Sequence, residues 1–466
     1  MKSNFFNKAL WLSLAVLAGL SPVTAQSSGS HPLLQNIVVY DDKTPAGPSA
    51  DQNLVKKTGS SGPVAPSAIA INTSIPVLAD VAIPGYSGVL VETVDGKPVI
   101  EAGSNITFNP ASNVKIATTY AVLKTFGPDY RFATNVWTDG SYEQATQTIH
   151  GNLYVSGRDP IFGYEHAITL ANELNRIGIR SIEGDLIVTD NFAMNYNTSP
   201  SVSSKTLFAT FNSTTRSGLA TRNWENYLIN SGKMKSNMAI PSVTFTGSVY
   251  VQPMPSNAKL LFTHESAPLR EIVKVMMCYS NNFIAERLGD IVGGPYAVSR
   301  VAQQGLGIQP ADFYLQTASG LGSNRVTPAA MMKVLRGLRS ELARYRMTFA
   351  DIMPVAGLDK GTLENRFDTD FSSGSVVGKT GTLGNTDGGV SALAGEINTR
   401  GGKLLFVIFN QHGSVSRFRS FQNNYVSTIQ GQFGGAAPIA YTPVSLDARI
   451  ARNRVTYPPR STMGSL

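Results

Sequence analysis

The chain has one cysteine, Cys278, so no intramolecular disulfide can close. Whatever this chain folds into must be held by a hydrophobic core. The constraint is sharp because residues 1–25 read as an export signal. Lys2 and Lys8 make a positive start, and Ala9 to Leu20 is an apolar run too short to span a bilayer comfortably. Val23-Thr24-Ala25 then sets small residues before a cleavage point at Gln26. An uncleaved anchor is the alternative reading. With 466 residues, 42% of them hydrophobic, the chain has material for two or three domains with real cores. Cys278 lies in an apolar run, where a buried thiol is expected rather than a nucleophile.

The formal net charge is +8, and loss of the leader would remove two of those positive charges, Lys2 and Lys8. Such a surface suits peripheral contact with an anionic wall or membrane, or is simply solvated. No dense Lys/Arg run with interleaved aromatics occurs, so nucleic acid is not expected as a partner. The five histidines, His31, His150, His166, His264 and His412, show no metal-ligand spacing. Neither a metal nor a cofactor is expected, and a serine nucleophile would need a base other than histidine.

Residues 26–85 are rich in Ser, Pro, Gly and Ala and read as a linker-like segment. A strand pair is predicted at 88–93 and 98–101, around Asp95-Gly96. Residues 112–126 read as a helix with Ile116, Tyr120, Leu123 and Phe126 on one face, stopped by Gly127-Pro128. From 137 to 257, short β-like runs at 151–156 and 184–189 alternate with polar loops, which suggests an inserted β-rich domain. Helical patterns return at 268–288 and 328–345. Strands at 375–383, 389–396 and 403–410 are close enough for an antiparallel meander, with a helix at 415–431 to cover it. Residues 434–466 read as an aperiodic surface tail. The expected class is α+β, with residues 86–136 and 258–433 forming one domain around the insert.

Three short motifs occur in order: Ser112-Asn113-Val114-Lys115 at the start of a helix, Ser280-Asn281-Asn282 after an apolar run, and Lys379-Thr380-Gly381 on a strand. A serine hydroxyl is a weak nucleophile until a base takes its proton. Positions i and i+3 share a helix face, so Lys115 can meet the Ser112 oxygen. Burial, the helix N-terminus and a second cation, Lys379, would each favour the neutral amine. The backbone N–H groups of Ser112 and Thr382 are candidate oxyanion donors. Ser280 can relay a proton to the departing amine, and Asn282 can hold a substrate amide. Lys379 and Thr380 offer a cation and a hydroxyl to a carboxylate, while Gly381 would let a substrate backbone lie close. Single motifs are weak. Ser256-Asn257-Ala258-Lys259 and Lys57-Thr58-Gly59 fit them too, but on the wrong kind of element.

This ordered set resembles the class C low-molecular-mass penicillin-binding proteins, the D-alanyl-D-alanine carboxypeptidase/endopeptidases of the penicillin-binding protein 4 type. The likeness extends through 109–120, 126–132, Arg158-Asp159-Pro160, Ser319-Gly320-Leu321, Val326-Thr327-Pro328, 353–357, Gly361-Thr362-Leu363 and Arg366. It implies a β-lactamase/transpeptidase-like domain, an antiparallel sheet flanked by helices, with a smaller domain inserted between the first two motifs. It implies serine peptidase activity on peptidoglycan stem peptides through an acyl-enzyme on Ser112, covalent inhibition by β-lactams, and a periplasmic location. The departures are Asn281 as the middle residue of the second motif, Thr317-Ala318 where the family usually has Asp, and a short span from Ser112 to Ser280.

Two other readings share these residues. A class A β-lactamase needs a Glu to activate the deacylating water, and none occurs between Glu286 and Glu341. A class C β-lactamase or esterase would prefer Tyr where Ser280 stands. A wall-binding protein with a dead site would not need Ser112, Lys115, Ser280, Asn282 and Lys379 together. Trp137 and Trp224 are expected to pack, Asp159 to accept hydrogen bonds in a turn, and Arg366 to make an ion pair or lie on the surface.

Overall fold

The computed structural model describes residues 70–459. The expected export signal, most of the 26–85 segment and the Lys57-Thr58-Gly59 decoy lie outside them.

A six-stranded antiparallel sheet runs in the order Asn72–Thr73, Pro98–Ala102, Tyr86–Thr93, Gly402–Gln411, Val390–Thr399, Val376–Leu383. Along Gly402–Gln411, Leu405, Val407 and Phe409 enter the core built on the Val114–Phe126 helix. Leu404, Phe406 and Ile408 meet Tyr425, Val426 and Ile429 of the Val415–Gln432 helix on the other face. Successive side chains on a strand alternate faces, so an unbroken apolar run is what a doubly covered sheet requires.

The Val114–Phe126 helix is buried on every side from Val114 to Leu123, not along one stripe. It threads the core between the Asn282–Val292, Gly294–Leu306 and Pro328–Arg344 helices. A helix that is apolar all round belongs in the interior, and the sequence is correspondingly poor in charge.

The helical pattern at 268–288 is two helices, Leu269–Tyr279 and Asn282–Val292. Ser280 breaks it with left-handed backbone (φ 57°, ψ 37°), and the Asn281 side chain accepts from the Ile284 N–H at 3.0 Å to start the second helix. Asn and Asp are equivalent in that capping role, which explains why Asn281 can stand where the motif usually has Asp.

Two further sheets draw most of their strands from the region expected as an insert. One has the order Val249–Val251, Leu186–Val188, Leu153–Gly157, Ala133–Thr138, Lys259–Glu265, Arg454–Thr456; the other has Thr244–Phe245, Ser181–Glu183, Thr148–His150, Ser141–Glu143. Three helices not foreseen in the sequence, Tyr164–Arg176, Pro200–Phe211 and Gly218–Asn230, lie with these strands. The first two bury Leu170, Leu174, Leu207 and Phe211 against Val136, Val155 and Leu186. The expected edges at 137 and 258 fall beside or within strands. Ala133–Thr138 and Lys259–Glu265 pair with each other, so both belong to the insert's sheet. That strand also disposes of the Ser256–Lys259 decoy, whose lysine opens a strand and not a helix.

Residues 434–459 are not a surface tail. The Leu446–Ile450 helix buries Leu446 and Ile450, and Arg454–Thr456 adds an antiparallel edge strand to Lys259–Glu265. Glu271, buried near the start of the Leu269–Tyr279 helix, takes Arg449 at 2.8 Å and Arg452 at 2.6 Å. Short amphipathic pieces anchored by charge carry little periodicity, which is why this segment reads as coil.

Candidate active site

Ser112 sits on a single 3-10 turn, Ala111–Asn113, that feeds the buried helix. Ala111 holds a left-handed conformation (φ 44°), rare for a residue with a side chain and concentrated at functional sites. Two glycines make room for this turn. A Cβ on Gly320 would lie 2.0 Å from the Ala111 carbonyl oxygen, and one on Gly381 would lie 2.8 Å from the Pro110 carbonyl oxygen and 3.0 Å from the Ala111 Cβ. The face on which Gly381 lacks a side chain is taken up by this turn.

One helical turn on, Lys115 is completely buried. Its Nζ is 3.1 Å from Ser112 Oγ and donates to Asn282 Oδ1 at 2.7 Å and the Ser319 carbonyl at 2.6 Å. Burial, then repulsion from Lys379, push its pKa well below the usual lysine value, against a smaller pull from Glu286. This is the state a general base requires. Glu286 is otherwise occupied: its carboxylate accepts the backbone N–H groups of Ala318 (3.2 Å) and Ser319 (2.9 Å). It fixes the loop whose carbonyl meets Lys115, where Thr317-Ala318 replace the family's usual Asp.

Lys379 is also fully buried, with its amine donating to Ser280 Oγ at 2.9 Å and the Thr380 carbonyl at 2.7 Å. Burial lowers its pKa to about 7. The left-handed turn at Ser280 aims its hydroxyl at this amine. Lys274 and Asp359, both buried, pair at 2.6 Å behind the turn, and Tyr441 of the C-terminal segment donates to Asp359 at 2.8 Å. These supporting residues leave no sequence signal beyond the family-like run at 353–357.

Ser112, Ser280, Thr380 and Thr382 open into a cleft of about 430 Å³ that Arg366 and Arg419 also line. Among the described residues Arg366 forms no ion pair; its guanidinium donates to Asn423 Oδ1 (2.8 Å) and Gln422 Oε1 (3.1 Å). Arg419 was not foreseen, because a lone arginine on a helix resembles any solvated residue. Trp137 donates to Ser156 Oγ, and Trp224 stacks on Tyr227, both as packing residues. Asp159 accepts the Ile161 N–H at 3.0 Å, and burial raises its carboxyl to about 7. Burial pushes the Cys278 thiol up to about 12, so it is no nucleophile.

The chain as a whole is similar to known proteins in sequence and fold. Over 78% of its length the chain is 26% identical to a D-alanyl-D-alanine carboxypeptidase of Actinomadura sp. (strain R39), covering 84% of that protein. The penicillin G-acylated Bd3459 predatory endopeptidase of Bdellovibrio bacteriovorus superposes with a TM-score of 0.66 at 25% identity, over 77% of this chain and 96% of that one. Penicillin-binding protein 4 of Haemophilus influenzae has the same fold, with a TM-score of 0.56 at 20% identity over 74% of this chain and 96% of that one. A family model matches residues 76–233 and 213–426. With its α+β transpeptidase-like fold, the chain belongs to the D-Ala-D-Ala carboxypeptidase 3 (S13) family of serine hydrolases.

Proposed function

We propose that this protein cuts D-alanyl peptide bonds in peptidoglycan stem peptides, as carboxypeptidase or endopeptidase, through an ester on Ser112. One observation carries the reading: a fully desolvated amine, Lys115, lies 3.1 Å from the Ser112 hydroxyl. Ser112 Oγ gives its proton to Lys115 Nζ and bonds to the acyl carbon. The resulting oxyanion is held by the backbone N–H groups of Ser112 and Thr382. The bond to nitrogen then breaks, and the proton passes by way of Ser280, tuned by Lys379, to the leaving amine. Asn282 holds both Lys115 and the substrate amide. Water later cleaves the ester and restores the serine. A β-lactam enters by the same attack, but its expelled nitrogen stays tethered, so the ester persists.

The chain is exported to the periplasm in this reading, where its basic surface contacts the wall or membrane surface. Among the described residues no helix is long and apolar enough to cross a membrane.

The test is mass spectrometry after benzylpenicillin, with Ser112→Ala as control. A stable adduct on Ser112 and none in the variant is expected. Purified wall peptides should then release D-alanine or lose cross-links. Labelling of another serine, or equal labelling of the variant, would overturn the assignment.

A further inference from the structure

The cleft beside Ser112 is lined by two guanidiniums, and no carboxylate is among its lining residues. Lys379, the cation expected to meet a substrate carboxylate, already has two acceptors of its own. It is buried beneath the strand and engaged with Ser280 Oγ and the Thr380 carbonyl. Arg366 and Arg419 are differently placed. Arg366 is half-buried and has only the neutral oxygens of Asn423 and Gln422 as acceptors. Arg419 reaches from the Val415–Gln432 helix to the strand of the third motif, donating to Thr382 Oγ at 2.9 Å. The two cations are near enough for Arg419 to oppose the charge on Arg366, which burial already disfavours. Among the described residues neither makes an ion pair.

A desolvated cation normally has a counter-charge, and two like charges together need one more. Guanidiniums also present the planar donor fork that fits a carboxylate. The reaction supplies such a group. D-alanyl-D-alanine and penicillins alike carry a carboxylate one carbon from the nitrogen that leaves the acyl carbon. A cross-linked peptide carries one there as well when its leaving amine belongs to an α-amino acid centre.

We infer that Arg419, backed by Arg366, seats the carboxylate next to the leaving nitrogen and thereby selects substrates with a free acid at that position. Thr382 orients Arg419, and Asn423 and Gln422 orient Arg366. The inference rests on the proposed peptidase function and names the groups that give that site its preference.

The experiment compares an N-acylated D-alanyl-D-alanine peptide with the same peptide amidated at its C-terminus. kcat/KM is measured on both for wild type, R419Q, R419K and R366Q, with melting temperature as a check on folding. The wild type should favour the acid by about tenfold to a hundredfold, the range of charge-assisted hydrogen bonds. R419Q should lose at least tenfold of that preference, chiefly through KM for the acid, and R419K should recover part of it. R366Q should lose preference in the same direction. The inference is overturned if both Gln variants keep the wild-type acid-to-amide ratio, or if they slow the two substrates equally. A wild-type protein that takes no penicillin adduct and turns over neither peptide would overturn the peptidase reading, and this inference with it.

Discussion

Gly320 is where the nucleophile turn has least room, which makes Gly320→Ala the most direct test of how that turn is held. The backbone there is left-handed (φ +93°), and a new Cβ would lie 2.0 Å from the Ala111 carbonyl oxygen and 2.9 Å from Ser112 Cα. Relaxed contact between heavy atoms is about 3.5 Å, so the two segments must part by more than about 1 Å. A misplacement of that size costs roughly 100-fold in rate. The left-handed conformation adds about 1–2 kcal/mol and overpacking about 1–3 kcal/mol to the loss of stability. The variant should therefore be about 2–5 kcal/mol less stable and acylate about 100-fold more slowly. The assay is the time course of fluorescent penicillin labelling at a temperature where melting curves show the variant folded. Gly402→Ala is the control. Gly402 is also left-handed (φ +123°) but has nothing within 4 Å of a new Cβ. It should lose about 1–2 kcal/mol and label at the wild-type rate. If Gly320→Ala labels as fast as wild type, or Gly402→Ala is slowed as much, crowding around Ala111 does not hold the serine.

Lys379→Met should abolish acylation yet raise the melting temperature. A lysine keeps its proton to about 10.5 when unfolded, whereas folded Lys379 loses it near 7. Between these values the unfolded chain binds more protons, so burial costs most below pH 7 and nothing above about 10.5. The gain, roughly 2–4 kcal/mol, should be fully present below pH 7 and fade towards pH 10 in melts across that range. Asp359→Asn strands the buried Lys274 cation and should cost about 3–5 kcal/mol, while the double variant K274M/D359L should return towards wild type in denaturant titrations. Glu271→Gln weakens the clamp on Arg449 and Arg452, costing about 1.5–3 kcal/mol, and trypsin should then cut at those arginines sooner.

The candidate catalytic groups were legible because each motif is local: four residues fix Ser112 against Lys115, whatever the rest of the chain does. The meander was legible because its strands are contiguous apolar runs. What escaped depends on contacts between distant segments. Nothing local marks Ser280 as left-handed within an otherwise continuous helical pattern at 268–288. Nothing local shows that Pro110 and Ala111 pack against Gly381. The Tyr164–Arg176 helix did carry a signal, with Ala167, Leu170, Ala171 and Leu174 at helical spacing, but the β-like runs on either side masked it. Its role is to cross between the parallel strands Leu153–Gly157 and Leu186–Val188. Arg419 was invisible because its significance lies in its neighbours in the cleft, Thr382 and Arg366.

The return of Arg454–Thr456 to the insert has a bearing on biogenesis. The polypeptide passes into that module, comes out again, builds the remaining body and finally stitches its far end back beside the exit strand. Main-chain pairing and the Glu271 knot thus achieve what a cystine bridge does in many secreted proteins. A molecule fastened this way reaches its working shape without any thiol-oxidising catalyst, and a reducing milieu leaves it intact.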